Sequence, residues 1–416
     1  MLNQTHSPFG FAMLVRIRQG LGCVSTNPVA LFFILGFCLR LFAVLFFQGQ
    51  FNASDTLEYV AIADNILGGK GYSINGHLTV LVTPVYPLLL ATIFLISMNN
   101  LMMVQLLQIF VGAATVSIIY LLARKLFRPR IAFWAALIVS VHPWVIYWTG
   151  FVLTETVFLF LLCLSALLFL EMMKTPSLRA AVGVGVSFGL ASLCRPLGLV
   201  IFVSLLIASP LLFRQLRRNL RYLAVAALLL LVVMSPWIVR NYLVFGQFIP
   251  TSLEQGYSLY VGNNPNASLR YGVPEPGRAF LPAEVNGMTE SQMNSYLQGL
   301  ALSYIIQNPT RFAELVIVRF YLFWSPIYPT YSFLHDLINC VLYLALYFAA
   351  VVGLNRLYKR ERPGFWFFFA LLAVPTLVQS ITIVDLDQRF RLPLQPFLAI
   401  LAAYGLDSIR GFHRSS

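Results

Sequence analysis

Apolar runs of about 20 residues recur along the whole chain and leave few folds open to it. A run of that length crosses a membrane as a helix, whereas a transmembrane barrel shows shorter segments of alternating polarity. Only 10% of the residues are charged, against about 25% in an ordinary soluble domain. The sequence therefore predicts an all-α polytopic membrane protein, folded as a single transmembrane domain over residues 1–416.

The apolar runs predict about 10 to 11 transmembrane helices, joined by interfacial or re-entrant helices in the outer loops. The runs that we place as spans lie near 28–48, 102–122, 131–148, 151–170, 180–194, 197–212, 222–239, 334–353, 364–384 and 392–409. The first of them is expected to serve as an uncleaved signal anchor, because no small-residue cleavage site follows a short apolar core.

Clusters of Lys and Arg between the spans predict the orientation, since cytoplasmic loops are enriched in both residues. The clusters are Arg124, Lys125, Arg128 and Arg130; Lys174 and Arg179; Arg214, Arg217, Arg218 and Arg221; Arg356, Lys359, Arg360 and Arg362; Arg410 and Arg414. With Arg16 and Arg18 they predict an N-in and C-in protein of a bacterial cytoplasmic (inner) membrane. The net charge of +13 is then explained by topology, and no nucleic-acid partner is expected.

Two long outer loops follow from this orientation, at about 49–101 and 240–333. Segment 84–98 is apolar but short, and a crossing there would turn every later basic cluster outward, so we predict a re-entrant or interfacial helix. Segment 309–326 carries Arg311, Glu314 and Arg319 among apolar residues, which predicts a helix lying at the interface.

Asp55 stands a few residues beyond the first span, at the start of a short amphipathic helix. It has two readings of similar weight: a catalytic carboxylate, or a cap in which Ser54 or Asp55 satisfies free amide groups. Glu58 and Asp64 fit a solvated face of the same helix, and Tyr59 belongs to its apolar stripe.

Glu155 lies in the apolar stretch HPWVIYWTGFVLTETVFLFLL, between two closely spaced spans at the outer face. The alternative is again a cap, because Thr154 and Glu155 begin a helix. An acid within an apolar run is costly and usually functional, so a role in the site is favoured.

Four arginines oppose the positive-inside bias because they fall at the outer ends of spans. They are Arg195, Arg240, Arg389 and Arg391. Snorkelling, or pairing with acids such as Asp385 and Asp387, is the ordinary explanation. An anionic ligand at the outer interface is the other, because a guanidinium donates two parallel hydrogen bonds to phosphate.

Other chemistries lack a sequence signature. There is no GxxxxGK[ST] loop and no GxSxG elbow, and the five histidines show no metal-ligand spacing. The five cysteines lie mostly in or beside apolar spans, as buried small hydrophobes do. We predict no cofactor and no metal site; a divalent ion is possible for such chemistry but nothing in the sequence indicates one.

Several stretches in this order resemble one family. They are Asp55 after the first span, TGFVLTETVF at 149–158, SPWIVRNYLVFGQFIPTS at 235–252, YVGNNPNA at 260–267 and RFRLPLQPF at 389–397. The chain resembles bacterial family 39-type glycosyltransferases of the GT-C fold, a group with the protein O-mannosyltransferases and the lipid A aminoarabinose transferase. The likeness covers nearly the whole chain.

The resemblance implies transfer of a sugar from a polyprenyl phosphate to an envelope glycan, lipid or protein acceptor, on the outer face of the membrane. Asp55 then matches the general base, and Glu155 an acid that shapes the site. The four outer arginines would contact the donor phosphate, with Tyr59, Tyr72 and His77 as lining residues. Several relatives carry two adjacent acids in the first loop, whereas Thr56 follows Asp55 here, which leaves the acceptor undefined.

Two other functions stay open from the sequence. A flippase or exporter of lipid-linked sugars would also have many spans and intramembrane charge. However, transporters usually show two related halves with broken helices near the midplane, and here the charged residues cluster at one face. A catalytically silent partner subunit would share the fold without depending on Asp55.

Overall fold

The computed structural model describes residues 27–47, 54–213, 216–275, 281–328, 331–383 and 388–412. Its helices are α1 (Pro28–Phe46), α2 (Ser54–Leu67), α3 (Val85–Ser97), α4 (Leu101–Leu126), α5 (Pro129–Ser140), α6 (Pro143–Tyr147), α7 (Glu155–Lys174), α8 (Leu178–Cys194), α9 (Leu197–Ile207), α10 (Ser209–Leu212), α11 (Leu216–Phe245), α12 (Gln255–Gly262), α13 (Glu290–Gln307), α14 (Pro309–Trp324), α15 (Phe333–Arg360), α16 (Arg362–Ile381) and α17 (Gln395–Phe412). Short 3-10 helices cover Trp148–Gly150, Ala283–Val285 and Arg389–Leu394.

The described strands form one small antiparallel hairpin, β1 (Ser73–Ile74) and β2 (His77–Leu78), in which Ser73 faces Leu78. Almost all other regular structure is helical, so the prediction of an all-α polytopic membrane protein is confirmed. Arg16, Arg18, Arg214, Asp385, Asp387 and Arg414, named in the sequence analysis, lie outside the described residues.

Every predicted span coincides with helical structure, but the helices differ in length. Among the described residues six are long and apolar enough to cross a membrane, namely α1, α4, α7, α11, α15 and α16. A seventh candidate is the pair formed by Pro129–Ser140 and Pro143–Gly150, bent by 58°. The predicted spans 180–194 and 197–212 fall on the shorter helices α8, α9 and α10, and 392–409 falls mainly on α17.

Close helix contacts depend on small residues. A Cβ on Gly185 of α8 would lie 2.5 Å from the carbonyl oxygen of Ala226 in α11. Between α15 and α17, a Cβ on Gly353 would lie 2.0 Å from the carbonyl oxygen of Leu401. Membrane helices pack largely through such approaches, because lipid supplies no hydrophobic force between apolar surfaces. These two contacts fix how α8 and α17 sit in the bundle.

The two ends of α7 define two chemically different ends of the bundle. Glu155 begins this 20-residue helix and Lys174 ends it, so they lie about 30 Å apart, near the thickness of a bilayer core. Near the Lys174 end, Lys125 of α4 forms an ion pair with Glu171. The basic clusters at the ends of α4 and α7 therefore meet at the end opposite Glu155.

The long loops fold against the Glu155 end. The 13-residue α3 packs beside α2 and is shorter than the roughly 20 residues that a span needs. In the second loop, Arg319 of α14 is fully buried and donates to the backbone carbonyls of Ser380 at 2.6 Å and Ile381 at 3.2 Å. It ties α14 to the end of α16, while Arg311 and Glu314 stay at the surface as an ion pair of 3.1 Å.

Candidate active site

Four separate segments bring charged side chains together at the Glu155 end of the bundle. Asp55 lies in the first turn of α2, and Glu155 is the first residue of α7. Arg195 directly follows α8, and Arg389 begins the 3-10 helix that leads into α17. We call these four residues the acid–arginine cluster.

Arg389 joins the two acids of the cluster. Its Nη1 donates to Asp55 Oδ2 at 2.7 Å, and its Nε donates to Glu155 Oε1. Arg195 Nη1 donates to the same Glu155 oxygen and lies 3.5 Å from Thr154 Oγ1. Two carboxylates and two guanidinium groups thus form one connected network, in which Glu155 holds both arginines.

The carboxylates of both acids take part in ion pairs with arginines. Thr154 precedes α7 without a side-chain capping bond, and the carboxylate of Glu155 turns to the arginines instead. The carboxylate of Asp55 likewise pairs with Arg389, whose own sequence position is far away.

The two acids differ strongly in access. The Glu155 side chain is 1% exposed and that of Asp55 is 40% exposed. The arginine side chains are intermediate, at 15% for Arg389 and 19% for Arg195. A molecule entering from solvent can therefore reach Asp55 and the arginines. Glu155 is buried behind the two arginines and contacts them from the protein side.

The loop that delivers Glu155 is held by amide side chains of α4. Gln108 Nε2 donates to the carbonyls of Thr149 at 2.8 Å and Phe151 at 2.6 Å, and Gln105 Nε2 donates to that of Gly150 at 2.8 Å. Buried backbone carbonyls need such partners, because leaving one unsatisfied costs about 1–3 kcal/mol. The Gln108 Oε1 accepts from Tyr86 OH at 2.6 Å, which fixes the orientation of the amide.

Tyr59, which the sequence analysis proposed as a lining residue, lies beside the acid–arginine cluster. It is buried, and its ring meets that of Tyr86 edge to face at 5.2 Å between centroids. Burial raises the pKa of the Tyr59 hydroxyl and Glu155 raises it further, against the opposing effect of Arg389 and Arg195. Tyr59 is thus a neutral hydroxyl beside the cluster.

Glu254 is a residue that the sequence did not single out. It precedes α12 in the second loop, and its electrostatic neighbours are Arg195, Asp55 and Arg389. Desolvation by the surrounding protein raises the pKa of this carboxyl, Arg195 opposes the change, and Asp55 adds to it. Glu58 is exposed, as its place on a solvated face predicted, and its pKa is raised by partial burial and then by Asp55 and Glu254. A loop glutamate has no local pattern that marks it, so only the fold reveals this neighbourhood.

The pKa of Arg389 is also raised, but for a guanidinium this shift favours the charged form. Burial alone would lower its pKa, but Glu155 and Asp55 raise it above the ordinary value, so the guanidinium stays charged. Within the described residues, no group of three His, Cys, Asp or Glu side chains is arranged to hold a metal ion.

Arg240 and His77 are not part of the acid–arginine cluster. The Arg240 guanidinium donates to the carbonyls of Thr79 at 2.8 Å and Tyr72 at 3.1 Å, the two ends of the β1–β2 hairpin. It also lies 5.0 Å from the Trp237 ring centre. His77 is exposed on β2. The structure thus gives Arg240 a visible role in holding the hairpin.

Arg391 is also set apart from the cluster, although it stands two residues from Arg389. It is 1% exposed, and its Nη1 donates to the carbonyls of Phe323 and Ser325, both at 3.0 Å. Its guanidinium lies 4.1 Å from the centre of the Tyr343 ring. These contacts attach the 3-10 helix Arg389–Leu394 to the end of α14 and so position Arg389.

An apolar groove begins beside Arg391 and runs along the bundle. It has a volume of about 590 Å³. Its lining residues are Phe320, Trp324, Tyr347, Ala350, Val351, Leu354, Phe369, Leu372, Ala373, Thr376, Leu377, Leu398 and Leu401. The Tyr347 ring lies 5.9 Å from the Arg391 guanidinium, so the groove ends close to the 3-10 helix that carries Arg389.

Part of this sequence matches a known protein family, and solved structures share its architecture. The family model described as dolichyl-phosphate-mannose-protein mannosyltransferase matches residues 82–239, a segment that contains Glu155 and Arg195. No curated protein matches the sequence.

Solved structures of similar fold cover almost the whole chain. The archaeal oligosaccharyltransferase AglB from Archaeoglobus fulgidus, in complex with an inhibitory peptide and a dolichol-phosphate, aligns with TM-score 0.56 and 13% identity, over 94% of this chain and 52% of its own. An Archaeoglobus fulgidus oligosaccharyltransferase in the apo form aligns with TM-score 0.58 and 14% identity, over 93% of this chain and 51% of its own. ArnT from Cupriavidus metallidurans bound to undecaprenyl phosphate aligns with TM-score 0.56 and 17% identity, over 96% of this chain and 61% of its own.

This chain spans about half to three fifths of the length of those proteins. The shared architecture confirms the GT-C fold that the sequence predicted, and the family-model match agrees with the predicted resemblance to family 39-type enzymes.

Proposed function

Because the chain has the GT-C fold, we propose that it is a membrane glycosyltransferase that takes a sugar from a polyprenyl-phosphate donor. The observation that carries the proposal is the bridge in which Arg389 holds both Asp55 and Glu155. A solvent-accessible acid beside charged guanidinium groups is what transfer from a phosphate leaving group requires. The similarity to an ArnT structure bound to undecaprenyl phosphate supports the same donor class.

We place the donor phosphate at Arg389 and Arg195. Both guanidinium groups are charged and partly exposed, and Glu155 fixes their positions from the buried side. A guanidinium has five N–H donors, so an arginine held by a carboxylate can still donate to phosphate oxygens. Negative charge that develops on the leaving phosphate would thus be stabilised by groups already in position.

Asp55 is the general base in this proposal, and Glu155 is a positioning residue. A base must come within hydrogen-bond distance of the acceptor, and of the two acids only Asp55 has substantial exposed surface. Asp55 removes the proton from the acceptor hydroxyl or amine as the bond between the anomeric carbon and the phosphate oxygen breaks. A new bond joins that carbon to the acceptor, and polyprenyl phosphate leaves. One base without a second nucleophile gives inversion at the anomeric carbon.

The apolar groove between α14, α15, α16 and α17 is proposed to hold the polyprenyl tail. Its walls are apolar apart from Thr376 and the hydroxyl of Tyr347, as a site for a hydrocarbon chain should be. The end of the groove at Tyr347 lies next to Arg391, which shares a 3-10 helix with Arg389. A tail in the groove would therefore bring its phosphate toward the acid–arginine cluster.

The remaining predicted residues support the site in this scheme. Arg391 positions Arg389 through the 3-10 helix, and Arg240 holds the hairpin that carries Tyr72 and His77. Tyr72 faces Trp237 at 4.9 Å between ring centres, which keeps the hairpin against α11. We assign none of these residues to direct phosphate contact.

We propose that the site faces the outside of a bacterial cytoplasmic membrane, with both chain ends in the cytoplasm. The supporting observation is the separation along α7 of the acid–arginine cluster from the Lys125 and Lys174 end, because basic ends are retained inside. The acceptor would then be an envelope glycan, lipid or protein.

The test is release of polyprenyl phosphate by the purified protein in liposomes, offered a panel of polyprenyl-phosphate sugars with mixed envelope lipids and glycans. Wild type should release polyprenyl phosphate and form product from one donor, and Asp55→Asn should lower the rate by about 10²–10⁴-fold. The matched control is Asp64→Asn on the same helix, where the carboxylate accepts from Asn99 Nδ2 at 2.9 Å. Full activity of a folded Asp55→Asn protein would reject the assignment.

The transport alternative is distinguished in the same preparation. Movement of labelled lipid-linked sugar across the bilayer, without any product and without dependence on Asp55, would replace the proposed function by a flippase.

A further inference from the structure

A second cavity lies at the opposite end of the bundle from the acid–arginine cluster. It has a volume of about 540 Å³. It is lined by Leu126, Leu170, Met173, Lys174, Pro176, Leu212, Asn219, Glu361, Pro363 and Gly364. These residues stand at the ends of α4, α7, α10, α11 and α16 and in the turn after α7, so the cavity opens where long apolar helices reach the membrane interface.

Three polar side chains of different character meet in this cavity. Lys174 supplies an ammonium group, which donates to the backbone carbonyl of Lys125 and has two further N–H donors. Glu361 supplies a carboxylate, and Asn219 an amide. The neighbouring Lys125 pairs with Glu171, and among the residues that line the cavity Lys174 and Glu361 carry the charges that a ligand meets.

Among the described residues, neither acceptor in the cavity makes a hydrogen bond within the fold. Glu361 stands at the N-terminal boundary of α16 but makes no capping bond with its side chain. Its Oε2 lies beside Gly364, 3.4 Å from the position that a Cβ on Gly364 would occupy. The Asn219 side chain is 5% exposed, and its Oδ1 has no hydrogen-bond partner among the described residues. A buried amide oxygen without a donor costs about 1–3 kcal/mol, which a ligand N–H would recover.

The walls between these groups are aliphatic. Leu126, Leu170, Met173 and Leu212 form a surface suited to a glycerol backbone and the start of acyl chains. A ligand that fits must combine this apolar part with one negative group for Lys174 and one positive N–H donor for Glu361 and Asn219. Basic pockets between helices at a membrane interface bind lipid headgroups, and the carboxylate here adds a preference for a headgroup that also carries a cation.

We infer that this cavity binds a phospholipid with a phosphoethanolamine headgroup, its phosphate on Lys174 and its ammonium on Glu361 and Asn219. The site is separate from the proposed sugar transfer, because about 30 Å of α7 lies between Lys174 and Glu155. The bound lipid would join the ends of α4, α7, α11 and α16 and stabilise their arrangement.

The experiment measures lipid retention by native mass spectrometry. Purified protein is equilibrated with equal amounts of phosphatidylethanolamine and phosphatidylglycerol and then stripped by detergent washing. Wild type should keep phosphatidylethanolamine in preference to phosphatidylglycerol. Glu361→Gln should reduce the retained phosphatidylethanolamine by about tenfold, as expected for one charge-assisted hydrogen bond. Lys174→Gln should reduce retention of both lipids.

Two controls make the result specific to the cavity. Lys359→Gln, at an exposed lysine of the same face that does not line the cavity, should leave retention unchanged. Added phosphatidylethanolamine should raise the unfolding temperature of wild type but not of Glu361→Gln. Excess soluble phosphoethanolamine should not displace the lipid; displacement would assign the cavity to a soluble compound instead.

Equal retention of the two lipids by wild type, or unchanged retention by Glu361→Gln, would overturn the inference. Because the readout is lipid mass and not sugar transfer, neither result depends on the proposed function.

Discussion

Arg389 Nη1 donates to Asp55 Oδ2 across 2.7 Å, although the two residues are 334 positions apart in the chain. The first long loop and the entry to the last helix are thereby joined at one carboxylate. The same guanidinium donates through Nε to the buried Glu155, so one planar group sets the spacing of both acids. The proposed base and the proposed phosphate contact are therefore positioned by a single side chain.

Replacing Arg389 by lysine should lower the transfer rate by about 100-fold, because an ammonium group cannot bridge two carboxylates through separate nitrogens. Arg311→Lys is the matched control, since Arg311 belongs to an exposed pair with Glu314. Polyprenyl-phosphate release in liposomes measures both variants. Equal rates for Arg389→Lys and wild type would show that the bridge has no part in transfer.

Glu155→Gln should lower the free energy of unfolding by about 3 kcal/mol, because it leaves two arginines without their buried counter-charge. Glu171→Gln provides the comparison at the other end of α7. Its pair with Lys125 has side chains 36% and 41% exposed, so its loss should cost under about 1 kcal/mol. Unfolding in detergent, followed by tryptophan fluorescence, measures the difference. Similar effects from the two variants would contradict the burial argument.

Glu254→Gln should stabilise the protein near pH 7, and the gain should disappear on acidification. The pKa of Glu254 is raised from 4.5 in the folded protein, so its charged form is disfavoured by folding. At pH values above the raised pKa this penalty is present. As pH falls from the raised pKa toward 4.5, the carboxyl is protonated in the folded state before the unfolded state, and the penalty vanishes once both states are protonated.

Unfolding temperature against pH checks this prediction, with Glu284→Gln in an exposed 3-10 helix as the control. A loss of stability for Glu254→Gln near pH 7 that shrinks on acidification would mean that Glu254 is held mainly by Arg195 and Arg389, and the sign of the prediction would be wrong.

The fold could be predicted from the sequence because long apolar runs of residues mark membrane helices. Apolar length located all of the spans as helices, since a helix satisfies its own backbone groups in lipid within a single apolar run. The ends of the helices were harder to predict. The predicted span 131–148 is broken between Ser140 and Pro143, where the chain bends by 58°.

The site was predictable only in part. Asp55, Glu155, Arg195 and Arg389 were marked by charge in apolar surroundings, and these four do meet. Arg391 carries the same signal, yet its partners are the backbone carbonyls of Phe323 and Ser325, which no sequence pattern reports. Glu254 was missed for the converse reason, since an acid in a polar loop is unremarkable until folding brings it near Asp55.

The groove provides a last prediction, which concerns the donor tail. Ala373 of α16 lines the groove, so Ala373→Phe should displace two or three methylene groups of a bound polyprenyl chain. Each buried methylene contributes about 0.8 kcal/mol, so KM for a long-chain donor should rise by roughly 30-fold. A donor with a short chain that does not reach Ala373 should be affected much less.

The control for this variant is Ala345→Phe, at an exposed position of α15 outside the groove, which should leave KM for both donors unchanged. The ratio of KM values for long and short donors is the decisive measurement, because general damage to the fold would change both together. If Ala373→Phe leaves that ratio as in wild type, the tail follows another path, and the alignment of groove and acid–arginine cluster through Arg391 has no part in donor binding.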